Sequence, residues 1–224
     1  MRVPLPRVQQ GRVLADWVTA SLREAILNGY FEPGEKVDQD LIAEELEVSR
    51  TPVREALRRL EFEGFVEVRP HHGAFIAKVS HQDIREVYEI RKLLEAEIVR
   101  QVAPLIPESV LDELDRSLIE SKTQFDAGDY TKHFEGDTLF HETVANYVDN
   151  ALLKEVLDGL TNRISMVRRF ALSNPGPHLV ESFQEHHAIL GALRQRDPER
   201  AAELMGVHLQ NSALRIQSLS ELSH

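Results

Sequence analysis

The chain has no cysteine among its 224 residues, which removes disulfides, thiolate metal ligands and cysteine nucleophiles at once. No apolar run approaches the roughly 20 residues of a bilayer-spanning helix, so no membrane partner is expected. The opening MRVPLPRVQQGR is charged but lacks an apolar core, so it does not read as a secretory signal. A reducing cytoplasm is the expected location. Positive charge is in deficit, with 26 Lys+Arg against 37 Asp+Glu and a formal net charge of −11. At 42% hydrophobic and 28% charged residues the composition is that of a folded protein, long enough for one large domain or two smaller ones.

The charge is unevenly spread. Residues 1–79 carry a net −2 and residues 80–224 a net −9, yet Arg50 to Arg59 holds four arginines and one glutamate. Local field governs contact with duplex DNA more than the total does. An acidic chain can therefore carry a basic reading head.

The apolar spacing predicts a first helix over 12–27 on Leu14, Val18, Leu22 and Ile26, a short helix over 39–46 behind an Asp38 cap, and a third helix to about 63. Thr51-Pro52 reads as N-cap and first helical position of that third helix. Two β-like runs, 65–68 and 74–77, flank Pro70-His71-His72-Gly73 as a hairpin. From Ser80 the pattern is helical throughout, over 81–102, 107–127, 129–148, 151–172, 179–196 and 198–219. Gly128, Asn150, SNPGP at 173–177 and Asp197-Pro198 supply the breaks. The fold class is thus mostly α: an N-terminal winged helix-turn-helix with a small β-hairpin wing over 1–79, and an all-α antiparallel bundle over 80–224.

In the N-terminal part Leu41, Ile42 and Leu46 are expected to pack the support helix, and Val53, Ala56, Leu57 and Leu60 the reader helix. Arg50, Arg54 and Arg58 recur every four residues on the opposite stripe, where a planar fork can donate two parallel bonds to guanine edges or phosphates. The segment DLIAEELEVSRTPVREALRRLEFEGFVEVRPHHGAFIA resembles the DNA-binding domain of the GntR family of bacterial transcription regulators, over about residues 12–78. The resemblance implies operator contact by Arg50, Thr51, Arg54 and Arg58, with Gly73 in the wing; the hairpin tip His71-His72-Gly73 is itself a candidate to lie along the DNA backbone or minor groove. Some members have arginine at the start of the support helix, where this chain has Asp40.

In the C-terminal part Phe134, Asp137, His141, Val144, Ala145 and Val148 share one helix face, with Asp137 and His141 at i and i+4. A carboxylate on an apolar face needs a cation or a hydrogen-bonding partner. His186 shares a stripe with Phe183, Ile189 and Leu190, His187 turns outward, and His208 continues the stripe of Ala201 and Met205. Taken singly, each histidine reads as an ordinary core residue. Together, one oxygen and three nitrogens suit Zn²⁺, Ni²⁺, Mn²⁺ or Fe²⁺ without choosing among them. D-x-x-x-H, then E-H-x-A-I-L, then H-L is similar to the FCD ligand-binding domain of the FadR subfamily, over about residues 80–219. That likeness carries the metal-ligand role to Asp137, His141, His186 and His208.

Arg91 and Arg163 lie on apolar stripes and are candidates to neutralise an effector's carboxylate, with Asn211 adding a polar contact. The competing reading of Arg91 is buried pairing with Glu95. The expected function is a homodimeric transcriptional regulator on a palindromic double-stranded operator, controlled by a small organic acid bound at a divalent metal ion, and not an enzyme. Two other readings stand beside it: a regulator with a purely structural metal, and a metal-dependent hydrolase built on the same four residues.

Overall fold

A computed structural model describes residues 10–172 and 179–221; the SNPGP break lies outside them. The chain divides into two compact units, Met1–Val79 and Ser80–His224.

The first unit holds helices α1 (Gln10–Leu27), α2 (Gln39–Glu45) and α3 (Arg50–Phe62), then strands β1 (Val66–Arg69) and β2 (Gly73–Ile76). α1 buries Ala15, Val18, Leu22 and Ile26, and α3 buries Pro52, Val53, Ala56, Leu57 and Leu60. Leu14 and Leu41, expected inside, are 38% and 51% exposed. Val18, Leu22, Ile26 and Ile42 are buried as expected, with Ala15 and Ala43 rather than Leu14 and Leu41 beside them. α3 starts two residues earlier than its sequence signal, at Arg50 behind Ser49. Pro52 then sits inside the first turn, where its missing N–H costs nothing because those donors have no intrahelical acceptor. Arg23 grips Glu63 through two bonds of 2.9 and 2.8 Å, and Arg59 pairs with Asp16, so α1 and α3 are joined by ion pairs at the rim of their apolar contact.

The hairpin is antiparallel, from Val66 opposite Ile76 to Arg69 opposite Gly73. It is anchored from behind by the Val37 N–H on the Ala74 carbonyl and the Ile76 N–H on the Glu35 carbonyl, both 2.8 Å. Gly73 closes the turn at φ +103°, a conformation that side chains disfavour.

The second unit is α4 (His81–Val102), α5 (Glu108–Asp126), α6 (Thr131–Ala145), α7 (Ala151–Asp158), α8 (Thr161–Leu172), α9 (Val180–Arg194) and α10 (Pro198–Glu221). Ser80 starts α4 with a reciprocal capping box: its hydroxyl accepts from the Asp83 N–H at 3.1 Å, and Asp83 accepts the Ser80 N–H at 2.8 Å. Ile84, Val87, Ile98, Val99 and Val102 of α4 are buried, as are Ala201, Met205, Leu209 and Ile216 of α10. α6 approaches α5 closely because Gly136 has no side chain; a Cβ there would lie 2.4 Å from Ser121 Oγ. The span 151–172, read as one helix, is two. Gly159 and Leu160 interrupt it, and glycine is the weakest helix former after proline. The break frees the phase of α8, which buries Ile164, Met166, Val167 and Ala171. No described helix is long and apolar enough to cross a membrane.

Leu60 is fully buried, and Trp17, the single tryptophan, reports on the same unit. Leu60→Ala should cost about 2–5 kcal/mol, read as a lower urea midpoint of the Trp17 fluorescence transition. An unchanged midpoint would contradict the packing described.

Candidate metal centre and nucleic-acid interface

The reading face is built from helix starts. Asp38 caps α2 by accepting the N–H groups of Asp40 and Leu41 at 2.9 and 3.2 Å. α3 turns its apolar stripe inward and leaves Arg50, Thr51, Arg54 and Arg58 exposed. Arg59 belongs to the scaffold through Asp16, and Arg50 is paired with Asp40. At the hairpin tip His71 and His72 are exposed and Gly73 half-buried, while the Arg69 guanidinium lies 4.3 Å from the Phe75 ring centroid on the strands behind.

In the second unit Asp137 and His141 on α6, His186 on α9 and His208 on α10 converge, their ligand atoms all within 4.8 Å of one another. His141 Nε2 stands 3.2 Å from His208 Nε2 and 3.4 Å from His186 Nε2; Asp137 Oδ1 is 3.6 Å from Nε2 of both His141 and His186. Donors bound about 2.1 Å from one ion stand roughly 3.0–3.4 Å apart, so the cluster has the spacing of a ligand set.

The protons explain why the arrangement calls for a cation. His141 Nδ1 is bonded to Glu95, and His208 Nδ1 to Glu185 at 2.8 Å. A carboxylate only accepts, so each Nδ1 carries the hydrogen, and the two Nε2 lone pairs face each other. Only a further proton or a metal ion relieves that opposition, and carboxylate-oriented imidazole is the usual outer shell of a metal site. Burial disfavours the charged form of His141, but Glu95 and Asp137 outweigh it and hold its pKa above the ordinary value. Burial pushes His186 well below its ordinary value, helped by His208, and pushes His208 down against the pull of Glu185.

Each carboxylate of the centre has its own arginine. Arg91 Nε meets Glu95 Oε1 at 2.6 Å, with both side chains at most 5% exposed. Arg168 meets Asp137 at 2.7 Å, and Arg215 meets Glu185 at 2.6 Å. Burial favours the neutral acids, but these partners prevail: Glu95 and Asp137 lie far below the usual carboxylate range, and Glu185 falls to about 2. The three acid–arginine pairs cancel.

A cavity of about 130 Å³ opens beside the centre, lined by Arg91, Glu95, His141 and Arg168 and by Lys154 and Asp158 of α7. A second, of only about 20 Å³, borders Asp137, Arg168, His133 and Arg215. Arg168 lines both, and its Nε has no hydrogen-bond partner among the described residues. Arg163, expected inward, is exposed; the buried stripe through Ile164 and Val167 brings Arg168, not Arg163, to the interior. Asn211 donates to Glu185 at 2.7 Å and so acts on the support of His208. Arg91 has the Glu95 partner that the competing reading gave it and also lines the larger cavity. Sequence reasoning missed Arg168, Glu185 and His133. Glu185 was signalled only by its place before His186, and Arg168 was hidden by the unrecognised helix break.

Residues 14–76 match the gntR family of bacterial regulatory proteins, and residues 86–211 match the FCD domain. The chain is similar to the uncharacterized HTH-type transcriptional regulator YdhC of Bacillus subtilis strain 168, 29% identical over 202 residues and 89% of both chains. It is similar to the HTH-type transcriptional repressor RspR of Escherichia coli K12, 26% identical over 89% of this chain and 87% of that one. A crystal structure of a transcriptional regulator GntR from Rhodococcus sp. RHA1 superposes with a TM-score of 0.74 at 26% identity, covering 91% of this chain and 97% of that one.

His133 is buried against the edges of Phe125, Phe134 and Phe183, and its Nδ1 has no hydrogen-bond partner among the described residues. Burial, opposed by Asp137, pushes its pKa down to about 4. As pH falls from about 6.5 to about 4 the unfolded chain takes up a proton there that the folded one refuses, so stability falls with pH across that window. In ion-free protein His133→Phe should lose about 3 kcal/mol less than the parent between pH 7 and pH 4. Equal losses in chemical denaturation would refute the assignment.

Proposed function

Because this chain belongs to the GntR family of bacterial regulatory proteins, with an FCD domain after its DNA-binding domain, we propose that it is a homodimeric transcriptional regulator whose operator affinity is set by a small carboxylate effector bound beside a divalent ion. The observation that carries the reading is the buried cluster Asp137, His141, His186 and His208 beside an arginine-lined cavity. These four residues would hold the ion, and their donor types accept Zn²⁺, Ni²⁺, Mn²⁺ or Fe²⁺. A bound ion supplies two positive charges and free coordination positions. The three acid–arginine pairs already balance, so those charges favour an anion in the same interior. Arg168, with its unpaired Nε, and Arg91 are the side chains that orient its carboxylate.

On the DNA side Arg50, Thr51, Arg54 and Arg58 enter the major groove from α3, and His72 and Gly73 of the wing lie along the backbone. One short reader helix contacts few base pairs, so two copies on a palindromic site supply the remaining contacts. The effector acts only if it binds the DNA-bound and free states with different affinity.

Arg54→Ala should abolish specific operator binding in a gel shift while the thermal midpoint moves by less than about 1 °C, because an exposed arginine contributes little to folding. Intact specific binding would sink the DNA reading. For the effector, a thermal-shift series of small mono- and dicarboxylates against their amides, run on ion-loaded and chelated protein, separates the possibilities. An acid should raise the midpoint only in loaded protein and bind at least about ten-fold more weakly in Arg168→Gln. Amides binding equally well would refute a carboxylate site. Unfolding on chelation, with no acid response in the loaded form, would make the ion structural.

A further inference from the structure

Arg50 is the first residue of α3, where the positive end of the helix disfavours a cation. α3 offers it no compensation: it has no acidic residue in its first turn, and the Ser49 side chain makes no capping bond. The compensation comes from α2, where Asp40 pairs with Arg50 through the guanidinium Nε. The two side chains are 76% and 59% exposed, so this pair is not part of the core. An exposed carboxylate on a face that meets phosphates also opposes binding to any duplex. Asp40 stands in the first turn of α2, where a carboxylate suits the helix's positive end, but that alone does not direct it onto Arg50.

Holding Nε leaves both Nη groups of Arg50 free and narrows the directions in which the fork can point. Two parallel Nη donors match O6 and N7 of guanine, whereas a loosely held guanidinium satisfies any nearby phosphate. The second oxygen of Asp40 can accept from the amino group of a cytosine, so the pair as a unit is complementary to G·C edges.

We propose that Asp40 is a specificity-determining positioning residue, which aims Arg50 at a guanine of the operator and penalises its use on phosphate. This rests on the DNA reading above. The test is selection from a random-sequence duplex library with the full-length, ion-loaded protein, its Asp40→Ala and Asp40→Asn variants and an Arg50→Ala control, followed by anisotropy titrations on the selected and random duplexes. Asp40→Ala should bind random duplex about three-fold more tightly through lost repulsion. It should lose about ten-fold in discrimination at one G·C pair, the pair that Arg50→Ala also relaxes. Asp40→Asn keeps an acceptor without the charge and should fall between the two. If Asp40→Ala tightens all duplexes equally and selects an unchanged motif, the carboxylate is only a repulsive surface charge and the proposal fails. A parent protein that selects no motif overturns the DNA reading beneath it. Thermal melts followed at Trp17 show whether each variant is folded.

Discussion

Two imidazole nitrogens whose lone pairs face each other, 3.2 Å apart in a buried site, set the terms for the C-terminal unit. Glu95 and Glu185 hold the hydrogens of His141 and His208 on the far ring atoms, so the near lone pairs are aimed at a common point. Burial makes the opposition costly and makes a cation the natural occupant. The same burial requires the carboxylates to be neutralised, and Arg91, Arg168 and Arg215 do so one for one. A proton and a divalent ion compete for this point, so ion affinity must rise with pH as His141 is freed of its extra proton.

That balance shapes the neighbourhood. With each carboxylate already matched by an arginine, the interior can accept an ion and an anion together. The larger cavity opens where Arg91 and Arg168 already stand. α7, which buries only Leu157, contributes Lys154 and Asp158 to its lining. The N-terminal unit works on the opposite principle. Its charges are solvated, its apolar contacts lie behind them, and ion pairs such as Arg23–Glu63 fix the scaffold while Arg54 and Arg58 remain available.

Much of this was legible along the chain. The SRTPVREAL run, the change from mixed to helical patterning near residue 80, and the i, i+4 spacing of Asp137 and His141 are local features, and periodicity reads local features well. Less visible was the edge of each stripe: Leu14 and Leu41 looked inward and are not, because consecutive residues stand about 100° apart around a helix. The break at Gly159–Leu160 had the same effect on a larger scale and moved the inward cation from Arg163 to Arg168.

The amino-acid order alone determined which residues could serve: three histidines and an aspartate on apolar stripes, arginines every fourth residue on a solvent-facing one, and a hairpin closed by glycine. Partner choice between side chains distant in sequence was decided only by the tertiary structure. That Glu95 meets His141 as well as Arg91 of its own helix, that Glu185 meets His208 and Arg215, and that Asp40 meets Arg50 depends on how helices pack. Charge pairing acts over a few ångströms, a range that spacing within a single helix specifies and spacing between helices does not.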